Sequence, residues 1–384
     1  MSTDNRDVLI TGVGVVVPGA RDLSELSPDH FRDRVMARPI DRFDTTGHTS
    51  STAAVVDDAE LASVPRRLRK RVDRFCALSL VAVDRALGAA GLVSNDGTLS
   101  SAVDRDRAGV IFGNMFGGWE MTEDSLRRLC QVGYTGVSPY IAAGWFPTAS
   151  QGQVSIRWGL RGFSKTVVAD TASGATAVGT AADAIRSGRA DLVIAGAAEA
   201  PVTPYTWTFC TTTGRLSPTT YRPFTASADG FTAGEGSVVF VLESAANAQA
   251  RGATPLAKFG GFASTHAHSK APFAEPAATT WSAFTALQRA GVHAGEVDYV
   301  GLDAQGQTGA DQAELHGLDT ILGSNSDAVG RHTIKPHTGH LLGAAAAVEL
   351  GAAVHAIQRG ASQTALVHAR GAEGTVTSSV LTAA

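Results

Sequence analysis

A hydroxyl at position 171 is the first side chain in this sequence whose placement suggests chemistry. Residues 165–200, KTVVADTASGATAVGTAADAIRSGRADLVIAGAAEA, read as strand, sharp turn, helix and strand. A side chain at such a strand–helix corner gains the partial positive charge of the helix N-terminus, which suits an anion such as a thiolate. The residue there is Thr171. Its hydroxyl stays protonated near neutral pH, whereas a cysteine titrates at about 8.5. Thr171 is therefore either filler or a nucleophile that needs a neighbouring general base. Ser173, on the first helical turn, is open between a capping role and a second hydroxyl nucleophile.

The elements around the corner follow from pattern. Residues 165–170 are short, apolar and β-branched, as a buried strand requires. Residues 172–187 are rich in Ala, with Gly174 and Gly179 where a helix must pack closely, and Gly188 stops the helix. Residues 191–198 form a second strand, so the unit predicts a parallel pair with a right-handed crossover. Further strands are expected at 8–16, 108–113 and 237–242, and helices at 65–92 after a basic lead-in, 119–130 and 150–158. The stretch after Glu199, with Trp207, reads as irregular. Beyond a break near 243–255 the order repeats. Strands are expected at 256–264, 297–304, 364–367 and 375–381, and helices at 279–290, 311–322 and 339–357. The pattern predicts an α/β protein whose halves, 1–245 and 246–384, are similar and pack into one layered body.

Composition narrows the function. The chain has 384 residues, 44% hydrophobic and 18% charged, so a large core is expected. A net charge of −4 gives no case for nucleic acid. Cys76, Cys130 and Cys210 are scattered, with no CxxC pair, which predicts neither a metal site nor a disulfide framework and fits a reducing cytoplasm. The first fourteen residues lack a signal-peptide pattern. The apolar run 341–357 is interrupted by Glu349 and His355, as in a buried helix rather than a membrane span. The pieces GVGVVVPG and AGEGS do not make a nucleotide motif, and no cofactor is expected.

Several motifs occur in a fixed order: VLITGVGVVVPG, the corner at Thr171, IRSGRADLVIAGAAEA, GRLSPTTYRPFTASADGFTAGEGSVVFVLE, VDYVGLDAQGQTGADQAE and HTIKPHTGHLLGAAAAVEL. Together they resemble the β-ketoacyl synthase family of the thiolase fold. The resemblance implies a dimer of five-layered αβαβα subunits built from two duplicated halves with mixed sheets. It also implies Claisen condensation, with a cysteine thiolate carrying the acyl chain and two histidines stabilising developing charge. In this sequence the cysteine position falls on Thr171 and the first histidine position on Asp303. The second histidine is kept as His340, the lysine as Lys335 and the glutamate as Glu314. The family's Gly-Phe-Gly-Gly loop falls on Gly371-Ala372-Glu373-Gly374, without its Phe. A carboxylate at 303 cannot donate to an oxyanion and would repel a malonyl carboxylate.

A narrower resemblance is to the chain-length factor, or ketosynthase β-subunit, of type II polyketide synthases. That subunit lacks the cysteine and the first histidine, and Asp303-Ala304-Gln305-Gly306 is similar to its Asp-Ala-x-Gly run. It often carries Gln where Thr171 stands, and many such subunits have lost the histidine kept here as His340. The resemblance implies a chain inactive on its own, paired with a cysteine-bearing ketosynthase, meeting an acyl carrier protein and walling the tunnel for a growing polyketide. Trp119, Thr122 and Leu126 share one helix face. With Phe116 and Trp207 they are open between tunnel wall and core packing. The run Arg66, Arg67, Arg69, Lys70, Arg71 and Arg74 is open between carrier-protein docking and a solvated helix face. Rival readings are a self-sufficient acyltransferase using Thr171 or Ser173, a malonyl-carrier-protein decarboxylase using His340, and a homodimeric binding scaffold.

Overall fold

The computed structural model describes residues 6–94, 97–268, 273 and 275–384. Residues 1–5, on which the reading of the N-terminus partly rests, lie outside the described residues. The N-terminal half contains β1 (Val8–Val16), β2 (Ala37–Pro39), β3 (Thr52–Ala54), β4 (Ala108–Gly113), β5 (Ser164–Val167), β6 (Leu192–Glu199) and β7 (Gly236–Ser244). Its helices are α1 (Arg66–Arg69), α2 (Arg74–Ala89), α3 (Trp119–Val132), α4 (Ile141–Trp145), α5 (Ala149–Trp158), α6 (Ser173–Arg186) and α7 (Pro204–Thr212). After α8 (Ala245–Ala250) come β8 (Ala257–His266), α9 (Pro276–Ala290), β9 (Tyr299–Gly301), α10 (Thr308–Leu322), β10 (Gly330–His332), α11 (Lys335–Thr338), α12 (Ala345–Gln358), β11 (Thr364–Arg370) and β12 (Thr375–Thr382).

The duplication expected from pattern is visible in the strand order. One half runs β1-β7-β6-β4-β5 outward from the centre; the other runs β8-β12-β11-β9-β10. Each step has the same sense in both: two antiparallel pairs, then two parallel ones. The halves join through a short β1–β8 contact, Leu9 opposite Lys258 and Ile10 opposite Ala257. Helices α6 and α12 lie between the two half-sheets, α2 and α5 cover one outer face, and α9 with α10 covers the other. This is the five-layered αβαβα arrangement of the thiolase fold.

Small residues make the central layer possible. A Cβ on Gly179 of α6 would sit 2.3 Å from the Phe262 ring, and one on Gly113 of β4 would meet the Ser173 carbonyl oxygen at 2.4 Å. Overpacking of that kind costs about 1–3 kcal/mol, so the Ala/Gly composition of α6 is set by its squeeze between sheets.

Three expectations are corrected. Strands β5 and β6 are parallel, but β4 lies between them, so they are not neighbours. The helix expected at 339–357 begins at Ala345. Gly339 has φ +77° and Leu342 φ +46°, and His340 bridges to Ala233 in extended backbone. The irregular stretch after Glu199 contains α7, which PYTWTFCTT hides because Thr-rich, aromatic sequence carries no helical period.

Candidate functional site

The corner is built by hydroxyls and one left-handed residue. Asp170 has φ +49°, a conformation that Asp tolerates better than most side chains. The Ser173 hydroxyl closes the turn: it accepts from the Ala169 N–H at 2.8 Å and donates to the Asp170 carbonyl at 2.6 Å. Ser173 thus closes the turn before α6 and does not cap the helix, whose N-cap is Ala172. Thr171 is 1% exposed, and its hydroxyl donates to the carbonyl oxygen of Arg370 at the end of β11.

The facing wall is the loop after β9. Ala304 has φ +49°, and Glu314 on α10 pins the loop by accepting from the N–H groups of Asp303 at 2.6 Å and Ala304 at 3.0 Å. Lys335 Nζ donates to the carbonyls of Asp303 at 2.5 Å and Leu302 at 3.3 Å. The Asp303 Oδ2 takes Gln305 Nε2 at 2.8 Å and Arg370 Nε at 3.2 Å. Arg370 Nη2 reaches Glu314 Oε2 at 3.3 Å, while Nη1 donates to the carbonyls of Phe273 and Ala310, each at 2.8 Å. Burial alone would raise the Asp303 carboxyl, but the Lys335 and Arg370 charges, with the Gln305 hydrogen bond, outweigh it and hold it below the usual range. Glu314 goes the other way: burial, opposed by Arg370 and aided by the Asp303 charge, pushes it up to about 7.

His340 is fully buried and stacks on Phe231, with centroids 4.4 Å apart and planes 21° off parallel. Its Nδ1 accepts the Leu342 N–H at 3.1 Å, so in the neutral ring the proton is on Nε2. That Nε2 has no partner among the described residues. Burial, then Lys335 and Arg215, depress the imidazole pKa well below its ordinary value against the pull of Asp303. The ring is neutral and offers one donor.

Asp170 closes the other side. Its Oδ1 meets Arg215 Nη1 at 3.1 Å, and its Oδ2 accepts the Ala372 N–H. This ties the β11–β12 turn, residues 371–374, to the corner. The two side chains are 8% and 5% exposed, and Arg215 Nε and Nη2 are unpartnered among the described residues. Behind the site Glu199 receives the N–H groups of Met115, Phe116 and Gly343 at 2.6, 3.2 and 3.2 Å. Burial pushes its carboxyl up to about 8, against those hydrogen bonds.

The structure thus brings Thr171 and Asp303 to Arg370, with Lys335 on the Asp303 carbonyl and His340 near enough to sense the Asp303 charge. No hydrogen bond joins Thr171 to Asp303 or to His340 among the described residues. The Thr171 proton points at an amide carbonyl, which is not a base. No general base is within hydrogen-bond reach of this hydroxyl among the described residues. Among the described residues, no group of three or more His, Cys, Asp or Glu side chains could hold a metal ion.

The remaining candidates lie outside this chamber. Trp119 on α3 stacks on Tyr205 of α7 with centroids 3.8 Å apart and planes 12° off parallel. Phe116 meets Phe209 edge-on at 5.4 Å. The Thr122 hydroxyl donates to the Gly118 carbonyl at 2.5 Å, and Leu126 is 48% exposed. Trp207 faces the opposite side of α7, fully buried, its Nε1 donating to the Ser50 carbonyl at 2.9 Å. Arg66, Arg67, Arg69 and Lys70 are exposed around α1, without an ion pair among the described residues. Arg74 does not belong with them: its side chain is 9% exposed and pairs with the buried Glu235 at 2.7 Å.

Comparisons with known proteins agree with this geometry. The family model of the beta-ketoacyl synthase N-terminal domain matches residues 5–248, and that of the C-terminal domain matches residues 256–375. The chain belongs to the beta-ketoacyl synthase family. Among curated relatives, the actinorhodin polyketide putative beta-ketoacyl synthase 2 of Streptomyces coelicolor is 35% identical over 324 residues, 82% of this chain and 77% of that protein. Nodulation protein E of Rhizobium meliloti is 31% identical over 358 residues, 93% of this chain and 87% of that one. Among solved structures, the ishigamide ketosynthase/chain length factor superposes with a TM-score of 0.87 at 25% identity, covering 99% of each chain.

Within this beta-ketoacyl synthase chain, sequence reasoning missed Arg370, Arg215 and Glu199. Arg370 carried a signal: a charge ending the apolar strand TALVHAR, just before the loop that lacks its Phe. Glu199 ends an otherwise apolar strand in the same way. Arg215 had none, because its partner Asp170 is 45 residues away.

Proposed function

We propose that this chain is the non-condensing subunit of a ketosynthase pair that elongates polyketides. It pairs with a cysteine-bearing ketosynthase of the same fold and lines the tunnel that limits chain length, as a chain-length factor does. The observation that carries this reading is the Thr171 hydroxyl, held on the Arg370 carbonyl inside a chamber where a buried carboxylate stands at the family's first histidine position. Thioester exchange needs a good nucleophile that is also a good leaving group, and no residue of the chamber is one.

The outer surface supports a partner of matching shape. Leu126, Leu129 and Val132 are exposed along α3, with Trp145, Phe146 and Val168 exposed on neighbouring segments. Strand β5 ends its sheet, and Ser164 and Lys165 are exposed. Exposed apolar groups of this kind mark interaction surfaces, and an unpaired strand edge invites pairing. The exposed basic residues on α1 suit an acidic carrier protein.

A malonyl-carrier decarboxylase would use His340, and its unpartnered Nε2 is the observation in its favour. The Asp303 charge beside it opposes a malonyl carboxylate, so we prefer the first reading. Intact-mass measurement decides between them. The chain, alone and co-expressed with its cysteine-bearing partner, is incubated with acyl- and malonyl-carrier protein. Acyl mass only on the partner is expected; an acyl adduct on this chain in isolation, or carbon dioxide released by it alone, overturns the proposal.

A further inference from the structure

The turn between β6 and α7 is capped from outside. Thr203 occupies the N-cap position of α7, yet its hydroxyl caps no N–H of that helix and meets there only the Thr206 hydroxyl, at 3.0 Å. It donates instead to Glu123 Oε1 on α3 at 2.7 Å. The same oxygen accepts the Tyr205 N–H, the first amide of α7 after Pro204, at 2.6 Å. A carboxylate from one helix therefore supplies the acceptor that the N-terminus of another needs, where the helix dipole favours negative charge.

The position matters because of what stands one turn away. Trp119 precedes Glu123 by four residues, on the same side of α3. Its ring lies flat on Tyr205, whose own amide Glu123 holds, and Phe209 follows one turn later against Phe116. Tyr205 is 51% exposed and Phe209 37%, so the rings are not fixed by a surrounding core. We propose that Glu123 is a positioning residue that sets how α3 and α7 meet at their aromatic stack, and through it the length of chain the complex makes. This rests on the tunnel role proposed above. Glu123 touches no substrate; it acts through Trp119 and Tyr205.

The test uses the co-expressed complex and reads the distribution of product lengths beside the total condensation rate. Glu123→Ala broadens or lengthens the distribution while the rate stays within about twofold, because the partner's catalytic cysteine is untouched. Glu123→Gln keeps an acceptor oxygen and restores the parent distribution. Thr203→Val removes one of the two hydrogen bonds and gives a smaller shift, and it serves where Glu123→Ala fails to assemble. If Trp119→Ala shifts the products but Glu123→Ala or Thr203→Val leaves them unchanged, the Glu123 inference is overturned and the tunnel reading stands. If none of the three shifts them, both are overturned.

Discussion

The main chain of Arg370 accepts the hydroxyl hydrogen of Thr171, while the side chain of Arg370 meets the carboxylate of Asp303. One residue thus touches both positions at which this sequence departs from the family's cysteine and first histidine. The two departures are joined through it, so they belong to one site.

Restoring sulfur alone will not restore a nucleophile. In Thr171→Cys the thiol stays buried against a carbonyl, beneath the turn that Asp170 fastens through the Ala372 N–H. Cys76 and Cys210 are buried and Cys130 is exposed, so iodoacetamide should add one label to the parent chain. The variant should also take one label, and a second should appear with Thr171→Cys combined with Asp170→Ala. A rapid second label on the single variant would show the chamber to be open.

Arg370 balances two buried acids. Arg370→Met strands Asp303 and Glu314, and breaking a buried pair in this way costs about 3–5 kcal/mol. Combining Arg370→Met with Asp303→Asn should recover part of that loss. Urea midpoints for the two single variants and the double one give the coupling. A zero coupling energy would mean that the charges do not sense each other.

Trp119→Ala removes the ring that covers Tyr205. The expected result is longer polyketides from the co-expressed complex, with the subunits still co-purifying. An unchanged product profile from an assembled complex counts against a tunnel role for this face.

The pH dependence of stability follows from Glu199, whose carboxyl is raised from 4.5 to about 8. Between those values the unfolded chain releases a proton that the folded chain keeps, so stability from this group is present at low pH and falls as pH rises to about 8. Glu314, raised to about 7, acts in the same direction over a narrower window. Glu199→Gln should flatten the decline in Tm between about pH 5 and 8. An equally steep decline in the variant would locate the titration elsewhere.

Much of the fold was legible because strand and helix periods are local. The Ala/Gly run of α6 and the apolar β6 define their own elements, and the repeated order exposed the two halves. The chamber was legible only by position. Thr171, Asp303, Lys335 and His340 were found from motif order, but what they do depends on Arg370, 199 residues from Thr171. Trp207 shows the limit of a list of aromatics: two residues from Tyr205, it points the other way and sits in the core. Arg74 shows the same for charge, since its basic neighbours are exposed while it pairs with Glu235.

The complete use of the Arg370 guanidinium bears on how this lineage can change. Under the proposed reading condensation asks for cysteine at 171 and histidine at 303, yet a histidine there would leave Arg370 with Glu314 as its one acid partner among the described residues. On that reading neither single change restores condensation, and the change at 303 also loses the Arg370–Asp303 pair. Under the same proposal the arginine works as a ratchet, so change is expected in the tunnel wall and the partner-facing surface before it reaches the chamber.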